Sequence, residues 1–132
     1  MDAEFTRTVP ADAERLPPLL DAIEIWLADS AVPLEHIARL MVAFDELLSN
    51  IVNHGGGMIE LSISLANGSL VATIADDGPP FDPLARTTPD LDLGIDQREV
   101  GGLGIHLVRE MMDGLAYSYE NSRNLLKLTK TL

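Results

Sequence analysis

Three short runs in this sequence carry groups that can do chemistry. In the first, Glu46, Asn50 and Asn53 or His54 recur at intervals of three or four residues. On a helix that spacing puts them on one face. The carboxamide oxygen of Asn50 can ligate Mg²⁺, a hard cation that prefers oxygen. The Glu46 carboxylate, one turn away, can accept the proton of a nucleophile. An ordinary solvated helix face has the same composition. In the second run, Asp76-Asp77-Gly78 closes an alternating segment. An aspartate at a strand's end can accept a hydrogen bond from an exocyclic amine, as on adenine, and a glycine lets the backbone approach a flat ligand. Asp-Gly-Pro-Pro is equally the composition of a turn. In the third run, Gly101-Gly102-Leu103-Gly104 leads into a helical pattern. Free backbone N–H groups and the helix dipole favour an anion there. No Gly-Lys-Ser/Thr follows, so this is not a P-loop, and no βαβ unit surrounds it.

These runs need elements to hold them. Ile37, Leu40, Met41, Phe44, Leu47, Leu48, Ile51 and Val52 recur at helical intervals, so a helix is predicted over 35–54, ended by Gly55-Gly56-Gly57. Residues 58–65 and 69–75 alternate as two strands around Asn67-Gly68, a hairpin signal. An edge strand is expected over 4–9, and a helix from an Asp12 N-cap to about Asp29, with Pro17 and Pro18 making its first turn irregular. Trp26 falls on that helix's apolar face. A third helix is predicted over 102–113 and a final strand pair over 115–119 and 125–131, with a turn at Asn121 to Asn124 between them. Between Asp76 and Val100 periodicity is lost. That stretch holds prolines at 79, 80, 83 and 89 and seven acids, as expected of a functional loop. The order β-α-α-β-β-loop-α-β-β predicts an α+β, two-layer sandwich with three helices on one face of a mixed, mostly antiparallel sheet.

The 132 residues suit a single domain over 1–132 that buries its own core. The net charge is −12, from 9 basic and 21 acidic side chains. Such a balance opposes binding to nucleic acid or an anionic membrane. There is no cysteine, which excludes disulfides, thiolate metal sites and cysteine nucleophiles. The acidic start, Met1-Asp2-Ala3-Glu4, is unlike a secretory signal, and no apolar run is long enough to span a bilayer. A cytoplasmic location is expected.

In order, the chain offers a helical Glu-x-x-x-Asn, a strand-end Asp-x-Gly, a long loop and a Gly-x-Gly opening a helix. In this it resembles the GHKL superfamily of ATPases and kinases, and within it the bacterial anti-sigma factor serine/threonine kinases. Residues 44–54 (FDELLSNIVNH) look like the family's N box, 74–82 (IADDGPPFD) like its first glycine box and 102–113 (GLGIHLVREMMD) like its second. Residues 124–130 match its last strand. The resemblance spans essentially the whole chain and implies the histidine kinase-like ATPase fold, with an ATP lid at about 79–100.

It also implies roles. Asn50 would ligate the Mg²⁺ that bridges the ATP phosphates. Asp76 would receive the adenine amine, and Gly78 would let the ring approach. Gly102, Leu103 and Gly104 would contact phosphate. Asn53, His54, Phe81 and Thr129 would lie beside the nucleotide. Glu46 would be the base that activates a serine or threonine hydroxyl; related ATPases use a glutamate there to activate water. The implied partner is an anti-anti-sigma (STAS-domain) protein, with a sigma factor in the other arm of a partner switch, and relatives are often homodimers. The alternative is an ATP-binding regulatory module, without kinase activity, that sequesters a protein partner. The sequence departs from the pattern at Pro80, which stands in place of the second glycine, and before Asn124, where a glycine is frequent. The lid's cations are Arg86 and Arg98.

Overall fold

The computed structural model describes residues 2–54, 56–85 and 102–132. Five strands, β1 (Ala3–Pro10), β2 (Met58–Ala66), β3 (Ser69–Asp76), β4 (Gly114–Glu120) and β5 (Arg123–Thr131), form one sheet in the order β1-β2-β3-β5-β4. Every neighbouring pair is antiparallel, so the sheet is not mixed as expected: among the described residues no crossover joins parallel strands, and each hydrogen-bonded neighbour runs the opposite way. Three helices, α1 (Leu16–Asp29), α2 (Leu34–His54) and α3 (Gly102–Met111), complete the second layer. A short 3-10 turn spans Pro83–Ala85.

Period-2 alternation explains the sheet. Ile59, Leu61, Ile63 and Leu65 of β2, Leu70, Ala72 and Ile74 of β3, and Leu126 and Leu128 of β5 are buried against the helices. From α2, Ile37, Leu40, Ala43, Phe44, Leu47 and Leu48 enter the same core. Phe44 has no exposed surface, and truncating a buried phenylalanine to alanine typically costs about 3–5 kcal/mol. Trp26 is only partly buried; its ring packs on Phe5 of β1 at 5.6 Å, and Phe5 in turn carries the Arg7 guanidinium at 4.3 Å.

The hairpin at Asn67-Gly68 forms as predicted, with φ of 54° and 75° at its two turn residues. Two other local expectations change. Helix α1 starts at Leu16 with its prolines in the first turn and no side-chain cap. The Asp12 carboxylate instead accepts from the Arg15 N–H at 3.0 Å, closing a turn ahead of the helix. The last hairpin turns in two residues, Asn121 and Ser122, both left-handed (φ 55° and 62°). Asn124 is therefore strand, and it is buried. Past α3, the Asp113 carboxylate accepts from the Thr131 N–H at 2.5 Å, which holds it below the ordinary range. Among the described residues no helix is long and apolar enough to cross a membrane.

Candidate functional site

The ends of β3 and β5 meet under the C-terminal half of α2. Asp76 and Asn124 sit directly opposite each other in the β3–β5 register. Both fall at inward positions of their strands, in phase with Ile74 and Leu126. They are thus buried polar groups, 4% and 6% exposed, at the end of an apolar layer. Such groups are tolerated only when hydrogen-bonded, and these are. Asp76 Oδ1 accepts from the Gly78 N–H at 3.0 Å and from Asn124 Nδ2 at 3.0 Å. The same Nδ2 donates to the Pro79 carbonyl at 2.9 Å. Asn124 Oδ1 accepts from the Phe81 N–H at 3.0 Å and from the Tyr117 hydroxyl.

A cavity opens beside this network. Its walls come from four places: Leu47, Asn50 and Ile51 of α2, Ile74 and Asp76 of β3, Tyr117, Asn124 and Leu126 of β4 and β5, and Pro79, Phe81 and Pro83 of the segment after β3. The mixture of flat apolar walls and a few convergent polar groups is typical of small-molecule sites. Burial, ahead of the nearby Asp82 and Asp76 charges, pushes the Tyr117 phenol above its ordinary value of 10.0, so it is a neutral donor at the cavity wall. Asn50 is itself buried, at 8% exposure, because its helix position points inward between the apolar residues at 47, 48 and 51.

Glu46 lies one helical turn before Asn50 and is half-buried. Helix α3 passes so close that a Cβ on Gly104 would stand 2.4 Å from the Glu46 carboxylate carbon. The first and third sequence runs are therefore neighbours in space, and the glycine at their contact leaves the Glu46 carboxylate where it is, since any Cβ there would displace it. Gly102 and Leu103 open α3. His54 ends α2 and its ring stacks on Phe81, with centroids 4.5 Å apart and planes 11° from parallel. Asn53 is exposed and does not line the cavity. The expected lid is described only as far as residue 85; Arg86, Arg98 and the remainder of 86–100 lie outside the described residues. Where it begins, Arg109 of α3 donates to the Leu84 carbonyl.

Thr129 is placed elsewhere. It lies five residues along β5 from Asn124, about 17 Å at the usual rise per residue. It also has the opposite parity to buried Leu126 and Leu128, so its side chain faces away from the helices. Its hydroxyl oxygen sits against Gly114, where a Cβ would approach it to 2.4 Å.

Two residues of the site were given no site role by the sequence. Asn124 was expected as the end of a turn, and Tyr117 as an ordinary strand residue. The signal for Asn124 is parity: residues 124, 126 and 128 share a face, and two of the three are leucines. A polar residue in phase with a buried apolar row marks either a site or a defect. Asp77 has a structural task. Its carboxylate accepts from the Met58 N–H at 2.8 Å, which ties the start of β2 to the end of β3.

Comparison with known proteins bears on the family and the fold. The histidine kinase-like ATPase domain family matches residues 9–130. The serine/threonine-protein kinase BtrW of Bordetella bronchiseptica (strain ATCC BAA-588 / NCTC 13252 / RB50) is 32% identical over 117 residues, covering 76% of this chain and 82% of that protein. Among solved structures, the RsbU and RsbW domains of Rv1364c from Mycobacterium tuberculosis align with a TM-score of 0.71 at 17% identity. That alignment covers 98% of this chain but only 32% of the other, so the chain spans about a third of its length. The Acinetobacter baumannii histidine kinase AdeS aligns with a TM-score of 0.53 at 16% identity, over 95% of this chain and 67% of that one. At such identities the two structures bear on the fold alone.

Proposed function

The chain belongs to the histidine kinase-like ATPase domain family, and on that premise we propose that it is an anti-sigma-type protein serine/threonine kinase. In this reading it binds Mg-ATP in the cavity between α2, β3 and β5. It transfers the γ-phosphoryl group to a serine or threonine of an anti-anti-sigma (STAS-domain) protein, and a sigma factor is its other partner. The observation that carries the reading is the approach of Glu46 to Gly104 with Asn50 one turn further on. It puts a carboxylate base beside the glycine-bearing start of a helix, where phosphate is favoured. The Asp76 carboxylate lies deeper, at the cavity wall, where an exocyclic amine would be received.

The residues divide the work. Asp76 and the flat walls bind and orient the base. The Asn50 carboxamide oxygen is the side-chain group suited to Mg²⁺, which when bound neutralises phosphate charge. Among the described residues no three His, Asp or Glu side chains converge on one point, which suits a cation held mainly by phosphate oxygens and water. Glu46 accepts the proton of the acceptor hydroxyl as its oxygen bonds to the γ-phosphorus. The bond to the β–γ bridging oxygen breaks, and ADP leaves with the electron pair.

The test is transfer of radiolabelled phosphate from ATP to a cognate STAS-domain protein. Glu46→Gln should cut transfer by roughly 10²–10⁴-fold, as loss of a general base does, with nucleotide affinity little changed. Asn50→Ala should weaken Mg-ATP binding itself. Undiminished transfer by Glu46→Gln overturns the assigned mechanism. One observation favours the second reading, a module in which ATP is only a conformational ligand. The segment after β3 is already drawn onto the cavity by Asn124 and by the His54–Phe81 stack. Phosphate recovered on a partner hydroxyl excludes a purely binding role.

A further inference from the structure

Asn124 was expected only as a turn end and as the start of the family's last strand, with no site role, yet its carboxamide is the most heavily used polar group in the site. Its two acceptor positions are taken by the Phe81 N–H and the Tyr117 hydroxyl, and its two N–H bonds go to Asp76 Oδ1 and the Pro79 carbonyl, with the Gly78 carbonyl a longer second acceptor at 3.4 Å. An amide can make four such bonds, and all four are made. They also fix which way the amide points. The Phe81 N–H can only donate, so it requires the oxygen, while the Pro79 carbonyl can only accept and requires the nitrogen. Two of the four bonds go to backbone groups of the segment after β3. A third holds the carboxylate that would receive a base amine. With both Gly78 N–H and Asn124 Nδ2 on Oδ1, the Asp76 carboxylate is fixed in rotation.

From this we infer that Asn124 is a positioning residue that joins base recognition at Asp76 to the placement of the lid's first residues, Pro79 to Phe81. The inference rests on the nucleotide-binding reading of the cavity. Movement of Asp76 towards a ligand pulls on the same amide that carries Pro79 and Phe81. Displacement of the lid start, conversely, frees Asp76 to rotate. Tyr117 supports the amide from the far side and also meets the Phe81 backbone N–H directly.

Asn124→Asp tests this, because it keeps shape and both acceptor bonds but removes both N–H donors. It sets a second carboxylate against Asp76 Oδ1. The titratable groups facing position 124 are Asp76 from β3, Tyr117 and the cross-strand Tyr119 from β4, and Asp82 from the lid start, with His54 of α2 stacked on Phe81. Two carboxylates in contact share a proton at low pH, and that proton restores a donor. The variant should therefore bind Mg-ADP roughly tenfold or more weakly than wild type at about pH 8, and the ratio should narrow by about fivefold or more at about pH 5.5. Amide hydrogen exchange in the nucleotide-free protein should show the Phe81 N–H losing protection at the higher pH and regaining it at the lower. A general loss of packing predicts no recovery in acid. A constant affinity ratio, or unchanged Phe81 exchange, overturns the proposal. If wild type binds no adenine nucleotide while the exchange behaves as expected, the nucleotide reading fails and the linkage of lid start to Asp76 stands alone. Should Asn124→Asp not fold, Asn124→Ser carries the test: its short hydroxyl cannot span Asp76, Pro79 and Phe81 together, so Phe81 exchange should rise and Mg-ADP affinity fall together, and unchanged Phe81 exchange overturns the proposal.

Discussion

Gly104 shows at the residue scale how a packing constraint and a chemical one coincide. In the middle of a helix turn, alanine is the better residue by about 1 kcal/mol. Here a Cβ would stand 2.4 Å from the Glu46 carboxylate, so the acid has to move aside. Gly104→Ala should leave the melting temperature unchanged or raise it, while phosphoryl transfer falls roughly tenfold or more. A thermal melt beside a transfer assay checks both halves, and an active, stabilised variant would show that the Glu46 position is immaterial. Glu46 and Asn50 were legible as a pair because helix geometry is set by spacing alone. Asp76 was legible because a strand ended on it. Asn124 was not, since asparagine near a turn has an ordinary explanation, and only the strand's parity reveals that it points inward. Thr129 was assigned to the nucleotide through the family's last strand. Its parity and its distance along β5 place its side chain on the other face.

Among the elements, α2 and the β2–β3 hairpin could be read almost to their ends, because each has one strong period and a glycine signal beside it. The start of α1 could not. Asp12 does accept a backbone N–H, but it caps a turn four residues before the helix; sequence shows a capping side chain without showing what it caps. The β4–β5 turn was drawn too long because Asn121, Ser122 and Asn124 are all turn formers. Its actual two-residue form carries a cost. Ser122 holds a φ of 62°, a conformation that serine adopts reluctantly and glycine freely. Asn-Gly is the favoured sequence for such a hairpin. Ser122→Gly should therefore stabilise the protein by about 1 kcal/mol, seen as a higher urea midpoint with an unchanged slope. A lower midpoint would show that the Ser122 side chain makes a contact of greater value than the backbone relief.

For the molecule as a whole, charge sets the terms on which an anion is admitted. The net charge is −12, and Asp76 in the cavity wall and Asp82 near Tyr117 add negative charge at the site itself. A free polyphosphate is repelled by such a field. Nucleotide affinity should fall roughly tenfold or more when Mg²⁺ is chelated, and added salt should recover part of the loss by screening. Calorimetric titration with and without chelator measures this, and equal affinities would remove the metal from the account. Composition spoke only against nucleic acid and anionic membrane surfaces as partners. It could not show that the cavity joins residues far apart in the chain. The Asp76–Asn124 bond closes a separation of 48 residues, and pairing β5 with β3 has to meet the entropy of closing that loop. Long-range strand pairing is the slow part of folding. A refolding chain thus regains helix signal early and ligand binding only in the phase that seats β5. A nucleotide in the cavity then acts as a clasp on the central seam of the sheet, lowering the unfolding rate while leaving the folding rate nearly untouched.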